Sequence, residues 1–131
     1  MNFAAPTRLP TIRLLIMADM ILVAGFALLL IATAPILADA TDLPVNLLRG
    51  AGITLVPWTA FLAITWKRPF ISKGAVTTTI LVNVAWVFTS LGIVATGVAD
   101  PNAFGITFVL LQAAGVLLLA ICQLAQWRTM P

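Results

Sequence analysis

Apolar residues run almost unbroken from Thr11 to Leu37, Pro44 to Trp66, Ala75 to Ala99 and Asn102 to Trp127, and charged residues, glycine or proline separate the runs. At 1.5 Å of rise per residue each run makes a helix of roughly 35–40 Å, enough to cross a hydrocarbon layer of about 30 Å with some tilt. The pattern predicts four membrane-spanning helices. In the third run the polar and small positions Thr79, Asn83, Trp86, Ser90 and Gly97 recur at steps of four, three, four and seven, which keeps them on one helical face. Lipid offers hydrogen-bonding groups no partner, so this face is expected to meet other protein inside a bundle.

Breaks between the runs fit that reading. Pro44 suits the first turn of a helix, and Asp39 to Leu43 make a short connection before it. Pro57, near the middle of the second span, frees the carbonyl of Ile53 and is expected to kink the helix there. A basic loop, Lys67 to Lys73, joins spans two and three, and Asp100-Pro101 ends the third. Arg8 and Arg13 ahead of an apolar core, with Ala38-Asp39-Ala40 after it, also have the outline of a secretory signal. That core is too long for one and is interrupted by Asp19.

Composition strengthens the membrane assignment. The 131 residues are 62% hydrophobic and 8% charged, with a mean hydropathy of +1.13, whereas a soluble domain has roughly a quarter of its residues charged. A pI near 10.0 invites a nucleic-acid reading, but the seven basic residues sit at span ends and form no solvated stripe. No nucleic-acid partner is expected. There is no His or Tyr, all four acids are Asp, and the one Cys, Cys122, excludes an internal disulfide. A histidine-held haem or metal, a Ser–His pair and a carboxylate pair for hydrolysis are therefore not expected, and neither is any cofactor. The chain reads as a non-enzyme.

Charge also predicts orientation. With short connections, four spans form an up-down-up-down bundle, which places Arg8, Arg13, Lys67, Arg68, Lys73 and Arg128 on the side of the N-terminus. Arg49, Asp39, Asp42 and Asp100 fall on the other side. The positive-inside rule then sets both termini in the cytoplasm, with Trp66 and Trp127 as interfacial anchors. The expected location is the cell membrane, a bacterial inner membrane, crossed four times.

Depth along the helices predicts which polar groups meet. Asp19 and Asn83 each lie ~12 Å from the cytoplasmic end of their spans, level with Trp58 in the second; Ser90 and Gln112 lie ~22 Å up, with Arg49 a little higher. Two polar layers are expected, with Trp86 between them. An intramembrane carboxylate is costly and marks a functional site by default. Asp19 therefore either ties helices together through Asn83 or serves as a proton or cation site. Gln112 shares a stripe with Gly105, Phe108, Gly115 and Leu119 that reads as a close-packed seam. Arg49 is expected to reach outer headgroups or to pair with Asp39 or Asp42. Cys122 reads as a small core residue.

Two functions fit these residues. The first is an accessory or scaffold subunit that packs in a larger membrane complex or a homo-oligomer and binds lipid, quinone or another apolar molecule beside Trp58 and Trp86. The second is a small transporter, working as a dimer, with Asp19 as its coupling site and Asn83, Trp58 and Trp86 along the substrate path.

Overall fold

The computed structural model describes the backbone from Ala4 onward and the side chains from Thr11 onward; Arg8, used above for orientation, lies outside the described side chains. Among the described residues the chain is all helical: α1 (Ala4–Ala32), α2 (Ala34–Thr41), α3 (Val45–Lys67), α4 (Lys73–Thr96) and α5 (Ala103–Trp127). Four of these, α1 and α3 to α5, are long and apolar enough to cross a membrane.

The helix ends differ from expectation for local reasons. The first span, expected as one helix over 11–37, breaks at Thr33, because Pro35 in the first turn of α2 has no N–H to continue the ladder. Thr33 Oγ1 donates to the carbonyl of Leu29 at 2.6 Å and closes the end of α1. Helix α2 then takes in Asp39 and Ala40, residues expected in the connection, and ends where Asp42 adopts a left-handed conformation with φ 59°. Aspartate tolerates that region better than most residues. At the other end of the third span, Gly97 stops α4 at Thr96 with φ 64°. Gly97 therefore terminates the helix rather than extending its buried stripe. Ser72 caps α4 by accepting from Ala75 N at 3.1 Å, and Asn102 caps α5 by accepting from Gly105 N at 2.7 Å. Helix α3 runs through Pro57 without interruption.

The bundle is two antiparallel helix pairs. Helix α1 packs along α3, and α4 along α5. In the first pair Arg13 meets Trp66, while Ala27, Leu30 and Ile31 meet Gly52. A Cβ on Gly52 would stand 2.8 Å from Ile31 Cγ1 and 3.1 Å from the carbonyl oxygen of Ala27, so the close approach of α1 and α3 needs glycine there. Between the pairs, α1 touches α5 and α2 bridges α3 and α5, whereas α3 and α4 have few close backbone contacts.

Two apolar clusters hold the pairs together. Ile12, Ile16, Leu62, Ile71 and Val76 form one, and Ala27, Leu30, Ala34, Leu48, Leu55 and Val109 belong to the other. Polar clasps close the ends of the bundle. Arg13 donates to the carbonyls of Trp66, Arg68 and Pro69, satisfying the end of α3, while Lys73 lies 4.3 Å from the ring centre of Trp127, whose indole donates to Thr77 Oγ1 at 2.8 Å. At the opposite end Asn102 donates from its backbone to Thr41 O at 3.0 Å and from its side chain to Ala40 O at 2.9 Å. Large apolar side chains cover the outside; Leu111 is 72% and Phe88 70% exposed. A chain in water would bury such groups, and a bilayer solvates them.

Candidate functional site

Helix pairing brings polar side chains into two interior layers. In the first, Asn83 Nδ2 donates to Asp19 Oδ2 at 2.8 Å and to Gln123 Oε1 at 3.0 Å, and Gln123 Nε2 donates to the same Asp19 Oδ2 at 2.8 Å. Three side chains from α1, α4 and α5 thus form a closed ring. It is buried, with Asp19 1%, Asn83 3% and Gln123 0% exposed. In the second layer Trp86 Nε1 donates to Gln112 Oε1 at 2.8 Å, and Gln112 Nε2 donates to Ser90 Oγ at 2.9 Å and to Val109 O at 2.8 Å. Ser90 in turn donates to the carbonyl of Trp86 at 2.9 Å. The first layer joins the two helix pairs, and the second lies between α4 and α5.

Helical periodicity explains why these groups converge. Asn83, Trp86 and Ser90 share one face of α4, and Gln112 and Gln123 are eleven residues apart, close to three full turns, so they share one face of α5. Sequence reasoning passed over Gln123. The signal was available in that spacing, and the long glutamine side chain closes the difference in height.

Other expected members take different places. Trp58 lies beside Asp19 and Asn83 but stacks on Phe61, with centroids 4.9 Å apart, and the hydrogen bonds of Asp19 and Asn83 run to each other and to Gln123. Arg49 does not join the upper layer; it is exposed and lines neither interior cavity. The expected seam on α5 is close-packed at Gly105, where a Cβ would fall onto the carbonyl oxygen of Thr41, and at Phe108, whose ring meets Phe26, whereas a Cβ at Gly115 would meet open space. Cys122 is a free, half-buried thiol.

Splaying of α3 from α4 leaves space between the helix pairs. A cavity of about 240 Å³ is walled by all four long helices, with Asp19, Phe26, Trp58, Asn83, Trp86 and Gly115 among its lining. A second, of about 400 Å³, shares Phe26, Thr54, Trp86 and Gln112 with the first. Together they form one groove through the bundle, mostly apolar, with a few convergent polar groups of the kind that orient a bound molecule. Asp19 is the one ionisable residue among those lining the two cavities. Among the described residues no group of three or more His, Cys, Asp or Glu side chains is placed to hold a metal ion.

These features define an all-helical, multi-pass membrane protein with a polar-tied interior and an apolar groove. No protein-family model, curated protein or solved structure matches the chain.

Proposed function

We propose that the chain is a non-enzymatic subunit of the bacterial inner membrane, an up-down-up-down bundle with both termini in the cytoplasm. It holds an apolar molecule in its groove and packs as an accessory or scaffold partner in a larger membrane complex or a homo-oligomer. The groove carries the reading: its walls are mainly carbon, and a chain without histidine lacks the commonest base for activating Ser90, the one serine on those walls. Gly25 and Gly92, where an added Cβ would meet nothing within 4 Å, support close approach of a neighbouring helix. Purification from native membranes in a mild detergent, followed by mass measurement of all co-migrating species, tests it. Recovery in a fixed ratio with larger membrane proteins, or as a homo-oligomer that retains a lipid or quinone, is expected. Recovery as a bare species without bound molecule or larger partner sinks the proposal.

Asp19 on the groove wall favours a second reading, a small proton- or cation-coupled transporter working as a dimer. Asp19→Asn keeps the shape of the side chain while removing its charge. Unchanged assembly and no effect on ion-driven uptake support the scaffold; loss of uptake supports transport.

A further inference from the structure

The two hydrogen bonds that reach the Asp19 carboxyl from protein both fall on Oδ2, and among the described residues none reaches Oδ1. Among the described residues no buried side-chain nitrogen or oxygen lacks a partner, so Oδ1 is no closed-off acceptor but keeps its opening onto the cavity that Asp19 lines. Asp19 also lines the smaller cavity, no Lys or Arg lines either cavity, and Trp58 and Trp86 supply aromatic surface close by. An acceptor open on one oxygen, a carboxyl group with no basic residue along either wall and indole walls together specify a ligand with complementary features.

We propose that this cavity binds a small hydrophobic amine in its ammonium form, the N–H donating to Asp19 Oδ1 and the apolar body lying between the helix pairs beside Trp58 and Trp86. The inference rests on reading the groove as a binding site and goes further in naming the ligand class. Asn83 and Gln123 position the carboxylate through Oδ2 and leave Oδ1 for the ligand. A charge-assisted hydrogen bond is roughly twice as strong as a neutral one, so an amine is expected to bind about tenfold more tightly than the alcohol of the same shape.

Calorimetric titration of the full-length chain in nanodiscs of zwitterionic lipid, with empty discs subtracted, tests this using naphthylmethylamine and naphthylmethanol. Saturable binding with about a tenfold preference for the amine is expected, and Asp19→Asn is expected to remove the preference while leaving the alcohol within about twofold. Gly115→Leu projects into open space on the cavity wall and is expected to abolish binding of both probes. Equal affinity for the two probes in the unaltered protein overturns the amine assignment and leaves the groove as an apolar site. Equal affinity decides the matter even if Asp19→Asn fails to fold. A preference for the amine that survives Gly115→Leu places binding elsewhere and overturns it too. If neither probe binds saturably, the groove reading falls with it.

Discussion

Closure of the Asp19, Asn83 and Gln123 ring makes a prediction about coupling that can be worked from its three hydrogen bonds. Asn83→Leu removes two of them and leaves Gln123 on Asp19; Gln123→Met also removes two and leaves Asn83 on Asp19. Both replacements roughly keep volume, so cavity effects stay small. Interhelical hydrogen bonds in membranes average about 0.6 kcal/mol and reach about 1.7 kcal/mol. Each single variant is therefore expected to lose about 1–3 kcal/mol. Simple counting makes the double variant less damaging than the sum, because the bond between Asn83 and Gln123 is removed only once. Stranding acts in the same direction: Asn83→Leu leaves Gln123 Oε1 without its donor and Gln123→Met leaves one Asn83 N–H without its acceptor, whereas the double variant strands only Asp19 Oδ2, and a buried group left unsatisfied costs about 1–3 kcal/mol. The double variant is therefore expected to fall short of the sum by at least about 1 kcal/mol. Reversible unfolding in mixed micelles of rising dodecyl sulfate fraction, followed by tryptophan fluorescence and helical circular dichroism, measures all four corners of the cycle. Additivity within about 0.3 kcal/mol would refute the claim that the three residues act as one network.

Two further outcomes follow from particular contacts. Gly105→Ala places a methyl group against the carbonyl of Thr41 and the ring of Pro101, prising the start of α5 from Thr41; it is expected to cost about 1–3 kcal/mol in the same unfolding assay. Gly50→Ala enters open space, so a gain in helix propensity of up to about 1 kcal/mol is expected, and equal losses at the two glycines would contradict the packing described. For orientation, in a background with Cys122→Ala, a cysteine replacing Asp100 is expected to react with a membrane-impermeant maleimide in intact cells, and one replacing Lys67 only after lysis. The reverse pattern would overturn the cytoplasmic assignment of the termini.

Much of the architecture is legible along the chain because a bilayer imposes so simple a rule: an apolar run long enough to cross must be helical, since its backbone finds no other hydrogen-bonding partners there. The four long helices and the inward face of α4 at Thr79, Asn83 and Ser90 follow from run length and a 3.6-residue period alone. Local chemistry also reads directly when the competing signals are weak. Asn102, where the fourth run begins, stands immediately before α5, and Pro44, expected in the first turn, stands one place ahead of α3. It misleads where two breakers compete, as at Pro35, which divides a run long enough to be one helix, and at Gly97, which stops α4 before the apolar run is finished.

Which polar groups meet depends on helix rotation and spacing, and a run of Leu, Val and Ile specifies neither. Matching heights place Asp19 level with Asn83, but the third member of their ring, Gln123, enters only because α5 turns its Gln112–Gln123 face towards α4, and Trp58 turns its ring onto Phe61 rather than its N–H onto Asp19. The groove has the same origin. It exists because Gly52 draws α3 tightly against α1 while α3 and α4 have few close backbone contacts, a property of pairwise packing rather than of any one helix. Sequence alone determined that four helices are long and apolar enough to cross a membrane and that one of them carries a carboxyl group within its apolar run, because both are matters of solvation along a single chain. Tertiary structure alone decided which amides hold that carboxylate, which of its oxygens stays open and where the bundle leaves room beside it, because each depends on how separate helices turn towards one another.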